Sequence, residues 1–222
     1  MFHEVTFYCK FVTMEKVHTY IQSQIKKKKD GELIFPTDFR GVGTEDAIKK
    51  ALSRLTQKGV LRRLAHGIYY IPKKDPVLGE VRPGADEVVA MFAKKEKIRV
   101  RPAGAYALNK LGLTTQVPTK LLYITDGSPR QFKLGRLQIK FKATTPKKLA
   151  TIGEYSSLLF QALEEIGTEN IKPGIEAKIL ELIKKESYKK LKHDLALAPA
   201  KVNDYIVKLL KNLENDKMAK AN

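Results

Sequence analysis

The chain is poor in the residues that build disulfide-linked or metal-held cores. Its 222 residues include one cysteine, Cys9, and four histidines, at positions 3, 18, 66 and 193, which lack the spacing of a metal site. No intrachain disulfide and no thiolate-held metal cluster can therefore form, and a reducing cytoplasm is the expected setting. We accordingly predict no metal and no cofactor.

Long apolar runs are also missing. Residues 1–13 hold several aromatic and aliphatic residues, but Glu4 and Lys10 interrupt them, so the segment lacks the apolar stretch of a signal peptide. No other segment approaches a membrane span, and no membrane partner is predicted. The arm of residues 1–13 either packs as an extra strand or is an upstream start, and the sequence leaves both open.

Positive charge is abundant. The chain has 42 Lys and Arg residues against 24 Asp and Glu residues, a net charge of +18 and a sequence pI near 9.8. This balance favours a polyanionic partner, and nucleic acid fits best. A length of 222 residues with 43% hydrophobic content is enough for one sizeable core or two modest ones.

One amphipathic helix ending at Gly59 is the most informative element. Its apolar residues recur at a spacing of three and four: Ile48, Ala51, Leu52 and Leu55. The opposite side is polar and carries Asp46, Lys50, Ser53 and Gln57, flanked by Lys49 and Arg54. Such a face can contact base edges and phosphates, although Asp46 repels phosphate unless it binds a cytosine amino group.

The elements around this helix predict a winged helix-turn-helix. A first helix is expected over residues 14–27, one short turn at Pro36–Phe39, and a hairpin of residues 60–64 and 68–71 that turns at His66 and Gly67. Arg62, Arg63 and His66 would lie on or near this wing, where cations neutralise phosphates. The alternative is a small helical bundle with a hairpin, whose charged face is simply solvated.

We predict an α+β chain of two domains, 1–75 and 76–222. Prolines and glycines between Pro72 and Pro83 interrupt any periodic pattern and suggest a linker. Beyond it the pattern predicts two helices, a small antiparallel sheet and C-terminal helices. The helices are expected at 84–96, at 104–111 and from 156 onward, and the strands at 99–101, 121–125, 130–134 and 136–142.

The last predicted strand alternates apolar and cationic residues. Together with the strand before it, this gives a candidate second basic surface of Arg130, Lys133, Arg136, Lys140 and Lys142. This surface would bind nucleic acid or an acidic protein. An ordinary solvated sheet face explains the alternation equally well.

Catalytic motifs are weak, and we predict that the chain is not an enzyme. Asp126 followed by Gln138 and Lys140 faintly resembles the acid and lysine arrangement of restriction-type nucleases, but one carboxylate is too few to hold a catalytic metal. Ser156 and Ser157 have no histidine and acid nearby in sequence, although the fold could still bring such groups together.

Two segments carry a family resemblance. FPTDFRGVGTEDAIKKALSRLTQKGVLRRLAHGIYYIP (35–72) resembles the winged helix of AbiEi-type antitoxins from bacterial abortive-infection toxin-antitoxin pairs. RPAGAYALNKLGLTTQVPTKLLYITDGSPRQFKLG (101–135) is similar to the domain that follows it in those proteins. The resemblance covers about residues 14–165 and is weaker over the final helices.

The resemblance implies an autorepressor that binds inverted repeats of double-stranded DNA at its own promoter. It also implies a functionally linked nucleotidyltransferase toxin, with which no stable complex is expected. The implied DNA-reading positions are Thr44, Lys49, Lys50, Ser53 and Arg54, with Arg62, Arg63 and His66 on the wing. No catalytic residue is implied. The alternative is an RNA-binding or protein-interaction module that uses the basic sheet face of residues 130–142.

Overall fold

The computed structural model describes residues 14–169 and 171–221. The predicted arm of residues 1–13 lies outside the described residues. Contacts divide the chain into two compact units, one ending at Phe92 and one beginning at Ala93, whereas the sequence interpretation placed the boundary at residue 75. One reason for the later division is that Phe92 packs within the first unit, where its ring centroid lies 6.0 Å from that of Phe35.

The first unit combines helices with short antiparallel strands. Its helices are α1 (Met14–Lys26), one 3-10 turn (Pro36–Phe39), α2 (Glu45–Gln57) and α3 (Ala85–Glu96), which continues past Phe92. Its strands are β1 (Leu33–Ile34), β2 (Arg62–Ala65), β3 (Ile68–Tyr70), β4 (Lys73–Asp75) and β5 (Gly79–Val81). Strand β3 lies between β1 and β2, while β4 and β5 form a separate hairpin.

The helices of the first unit form where local patterns predicted them. In α1 the residues Val17, Ile21 and Ile25 recur every four positions and are all buried, which fixes its inner face. In α2 the predicted apolar stripe is buried. Gly59 follows α2 with φ +74°, a left-handed conformation that favours glycine and ends the helix.

The linker prediction for residues 72–83 was wrong, because this segment forms the β4–β5 hairpin. Its three pairs are antiparallel and run from Lys73 opposite Val81 to Asp75 opposite Gly79. Both turn amides, those of Val77 and Leu78, donate to Asp75 Oδ1 at 2.8 and 2.9 Å. Pro76 and Gly79 therefore mark a tight turn between two paired strands.

The second unit is a four-stranded sheet with helices. Its strands are β6 (Val100–Ala103), β7 (Lys120–Thr125), β8 (Arg130–Leu134) and β9 (Leu137–Ala143). Its helices, after the end of α3, are α4 (Gly104–Lys110), α5 (Pro146–Leu149), α6 (Glu154–Ile166), α7 (Pro173–Lys185), α8 (Tyr188–Leu195) and α9 (Ala200–Ala221). The chain is thus mixed α+β, as predicted.

The prediction of a purely antiparallel sheet was wrong. The strand order is β6-β7-β9-β8, and the central pair β7 and β9 runs parallel, while both outer pairs run antiparallel. Strand β9 lies beside β7, and β8 lies at the edge of the sheet beside β9. The chain reverses direction twice between β7 and β9, so these two strands run parallel. Strand periodicity reports burial and carries no information about direction, so the sequence could not show this.

The C-terminal helices form their own apolar core around α6. Leu159 and Leu163 of α6, Ile179 of α7 and Ile206 of α9 are all at most 1% exposed and belong to one cluster. None of the helices in the described part of the chain is both long and apolar enough to cross a membrane.

Candidate nucleic-acid interface

The outer face of α2 is polar and cationic. Lys50, Ser53, Arg54 and Gln57 recur at helical spacing, and all four are exposed. Within the described ranges, the side chains of Lys50, Ser53 and Arg54 have no hydrogen-bond or ion-pair partner. These three side chains are therefore available to an external ligand, as a DNA-reading face requires.

The first turn of α2 is occupied by local interactions. The Thr44 hydroxyl caps the helix by accepting from the Ala47 amide at 3.3 Å. Lys49 Nζ lies 2.7 Å from the Glu45 carboxylate. The Lys49 hydrogen bond and charge lower the pKa of Glu45, and Glu45 raises the pKa of Lys49 in return. Two of the predicted contact residues, Thr44 and Lys49, therefore already have partners within α2.

The β2–β3 hairpin brings together Arg63 of β2 and His66 of the turn. Arg63 Nη2 lies 3.2 Å from His66 Nδ1, and both residues are exposed. A guanidinium has only donors, so in this contact His66 Nδ1 accepts the hydrogen bond. Arg63 has no acidic partner among the described residues, so no carboxylate balances its charge on this hairpin.

Arg62 has a different environment from Arg63. Its Nε and Nη2 donate to both carboxylate oxygens of Glu80 in β5, over 2.9 to 3.1 Å. The Tyr70 hydroxyl also donates to Glu80, at 2.9 Å. The hydrogen bonds from Arg62 and then Tyr70 hold the pKa of Glu80 below its usual range. Arg62 therefore links β2 to the β4–β5 hairpin, and its charge is balanced.

Three residues of the predicted second basic surface, Lys133, Lys140 and Lys142, lie on one face of the sheet. By strand register, Lys133 faces Gln138, and Lys140 faces Gln131, with Lys142 two residues further along β9. Lys133, Lys140 and Lys142 are exposed, whereas Ile139 and Phe141 on the other face are buried. Arg136 is also exposed but lies in the turn before β9.

Arg130 does not belong to this face. It pairs in register with the buried Phe141, on the core side of the sheet, and its guanidinium lies 3.8 Å from the Glu96 carboxylate. The alternation of apolar and cationic residues along β9 does not show on which face of the sheet each β8 residue lies.

A cavity of about 250 Å³ in the second unit mixes both signs of charge. Its polar lining residues are Lys142, Thr144, Lys148, Gln161, Glu164 and Glu165. Lys148 Nζ lies 2.6 and 2.8 Å from the two oxygens of Glu164. The carboxylates beside Lys142 reduce the attraction of this end of the basic surface for a polyanion.

Asp126, a candidate catalytic acid, is bound by Arg99. Asp126 accepts from the backbone amide of Arg99 at 2.7 Å and from its Nε at 2.8 Å. These contacts with Arg99 lower the pKa of Asp126. Among the described residues, no group of three or more His, Cys, Asp or Glu side chains could hold a metal ion.

Ser156 lies close to an acid and a histidine, but in an order that does not activate it. Its hydroxyl donates to Asp194, whose other oxygen lies 2.9 Å from His193 Nδ1. In a nucleophilic triad the histidine lies between the serine and the acid, and here the acid is in the middle. Ser156 is also only 1% exposed, so this group is an internal network.

A family model matches residues 20–191 and is described as a family of unknown function, DUF6088. The chain belongs to this family. Comparison with curated proteins gives no match. The DUF6088 match spans both units and includes every candidate nucleic-acid residue above.

The sequence reasoning missed Glu80 and Tyr70 as partners of Arg62. It also missed the cationic residues of the second hairpin, which are Lys73, Lys74 and Arg82. The signal for the hairpin was present, because Asp75-Pro76 followed by Gly79 is typical of a tight turn. The partners of Arg62 gave no such signal, since Glu80 is 18 positions away in the chain.

Proposed function

We propose that this DUF6088 member is a DNA-binding transcriptional autorepressor whose first unit acts as a winged helix-turn-helix. The observation that carries the proposal is the exposed face of α2, where Lys50, Ser53 and Arg54 have no partners among the described residues. The succession of α1, a short 3-10 turn, α2 and the β2–β3 hairpin supports it.

In this mechanism α2 enters the major groove and the β2–β3 hairpin lies over the adjacent backbone. Arg54 and Lys50 have the donors that bind guanine O6 and N7, and Ser53 can donate or accept at a base edge. Arg63 neutralises a phosphate and releases its counterion. Thr44 caps the start of α2 and Lys49 stabilises its first turn, so their contribution to DNA binding is indirect.

We further propose that the protein is the antitoxin of a bacterial abortive-infection toxin-antitoxin pair. This part depends on the resemblance of residues 35–72 and 101–135 to AbiEi-type antitoxins. The linked partner is a nucleotidyltransferase toxin encoded beside the antitoxin, opposed without a stable complex. Co-expression with the product of the neighbouring reading frame tests it. Growth should be rescued without co-purification, and no effect on growth would contradict the antitoxin role.

Gel-shift titration with the DNA upstream of the protein's own reading frame tests DNA binding. Lys50→Ala and Arg54→Ala should each weaken binding to this duplex by about 1–3 kcal/mol and reduce its preference over a scrambled duplex. Lys184→Ala is the matched control, since it removes an exposed lysine from α7 in the second unit. Equal affinity for both duplexes, unchanged by the α2 variants, would refute the mechanism.

The second candidate is an RNA-binding or protein-interaction role for the basic sheet face. Its support is the exposure of Lys133, Lys140 and Lys142 on one side of β8 and β9. Competition between duplex DNA and structured RNA at one fixed salt concentration separates the two candidates. Preference for RNA, reduced by Lys140→Ala and unchanged by Lys50→Ala, would favour this alternative.

A further inference from the structure

The turn of the β4–β5 hairpin is an exposed apolar tip, formed by Pro76, Val77 and Leu78. Val77 is 89% exposed and Leu78 is 77% exposed; among the other exposed large hydrophobic residues described, Val117 and Tyr188 reach similar values, each 78%. The hydrogen bonds from both amides to Asp75 hold the turn in one shape. A shaped turn that exposes two adjacent aliphatic side chains to water suits insertion into a partner.

The charge around the apolar tip favours a polyanion. Lys73, Lys74 and Arg82 are exposed on or beside the two strands. The acidic residues of the hairpin are both engaged: Asp75 accepts the turn amides, and Glu80 is bound by Arg62 and Tyr70. The exposed charge next to the tip is therefore mainly positive, as an arm that approaches phosphates requires.

The middle of the β4–β5 hairpin is bound to the proposed DNA-binding elements. Glu80 in β5 binds Arg62 at the start of β2 through three hydrogen bonds and Tyr70 at the end of β3 through one. Since β2 and β3 form the proposed wing, the hairpin is held at a fixed place beside it. Its three-residue strands reach about 10 Å, which is enough to span a minor groove about 7.5 Å deep.

We propose that the apolar tip inserts into the minor groove of the DNA bound by α2 and bends the duplex there. Lys73, Lys74 and Arg82 hold the flanking phosphates while the aliphatic side chains partly unstack one base step. Apolar wedges used in this way kink DNA by about 20–90°. The inference rests on the proposed DNA-binding function and adds a second contact site to it.

The test measures bending and affinity separately, with full-length protein on the duplex from upstream of its own reading frame. Circular-permutation gel shifts and energy transfer between dyes at the duplex ends report the bend. The wild type should bend this duplex. A Val77→Ser, Leu78→Ser double variant should bind about tenfold more weakly and leave the duplex close to straight. Val117→Ser is the control, because it changes a valine of the second unit that is 78% exposed.

The possible outcomes separate the two proposals. If the wild type binds the duplex without bending it, or if the double variant bends it fully, the insertion is refuted and the α2 mechanism stands. If the wild type binds no duplex, both proposals fail. A double variant that changes from dimer to monomer in sedimentation would identify the tip as a contact between copies and refute insertion. Unchanged circular dichroism shows that the variants fold.

Discussion

Arg62 and Arg63 are neighbours in sequence but have opposite electrostatic roles. Arg63 in β2 lies beside His66 of the β2–β3 turn, and no acidic side chain in the described ranges balances its charge. Arg62 is bound by both oxygens of Glu80, so its charge is neutralised in place. A bidentate carboxylate also fixes the guanidinium, which makes Arg62 a positioning residue for the β4–β5 hairpin.

Replacing Glu80 by glutamine should strengthen DNA binding. The variant removes the negative charge but keeps an oxygen that can accept from Arg62 and Tyr70, so the hairpin stays attached while Arg62 gains net charge. We expect several-fold higher affinity and a salt dependence steeper by about one unit of log K against log salt.

Glu169→Gln is the matched control for Glu80→Gln, since it removes an acidic partner from the exposed Lys201 ion pair of the second unit. It should leave both affinity and salt slope unchanged. Equal effects of the two variants would mean that net charge alone controls binding and that Arg62 does not contact DNA.

Among the elements, α6 has an unusual beginning, because two carboxylates from distant parts of the chain cap it. Asp194 of α8 accepts from the amides of Ile152 and Gly153 at 2.8 Å each. Glu186 accepts from the amides at positions 155 and 156. These negative groups satisfy the amides at the start of the helix and complement its positive end. They attach α8 and the end of α7 to α6, the centre of the helical core.

Asp194→Asn should destabilise the second unit. Asp194 is fully buried, and its oxygens also receive the Ser156 hydroxyl and His193 Nδ1. An amide nitrogen cannot accept these bonds, so we expect a loss of about 2–4 kcal/mol in the free energy of unfolding, measured by urea denaturation. Asp204→Asn in α9 is the control, since this side chain is exposed. Equal stability of the two variants would show that the buried cap contributes nothing.

At the scale of the whole molecule, the positive charge controls the rate and the salt dependence of binding to a polyanion. A net charge of +18 is carried by both units, with exposed cations on α2 and the hairpins of the first and on β8 and β9 of the second. Such a charge accelerates association with a polyanion and makes it strongly dependent on salt. It also means that binding to nonspecific DNA is expected, so only comparison with a scrambled duplex measures recognition.

Stability should fall on acidification. Besides Glu80, the carboxylates of Asp75, Asp126 and Asp194 have pKa values below their usual range. For Asp194, burial opposes this shift, but hydrogen bonds led by those of Ser156 and His193 outweigh it. A pKa lower in the folded state gives stability that is complete above the ordinary value and is lost as pH falls through the folded one.

The free energy of unfolding should therefore stay nearly level from about pH 7 to pH 5 and decrease below about pH 4. Chemical denaturation followed by circular dichroism at each pH measures this. Asp126→Asn should make the decrease shallower, because it removes the Arg99-bound carboxylate. Stability that rises as the pH falls from 5 to 3 would contradict the assignment of these pairs.

The local elements follow from the order of neighbouring residues in the chain. Val17, Ile21 and Ile25 recur at the helical period in α1, and Gly59 permits the left-handed residue that ends α2, so the buried face of α1 and the end of α2 follow from neighbouring residues. The exposed face of α2 was also predictable, because burying its apolar stripe leaves the opposite side outward. The turn signal at Asp75-Pro76 was equally local, although it was interpreted as a linker.

Contacts between residues far apart in the chain could be seen only in the folded structure. The parallel pairing of β7 with β9, the binding of Arg62 by Glu80 and the capping of α6 by Asp194 join positions 18 or more residues apart. Periodicity gives which side of an element is buried, but it does not give the partner that covers that side or the direction of a neighbouring strand. Contacts of this kind depend on how the whole chain closes around its cores.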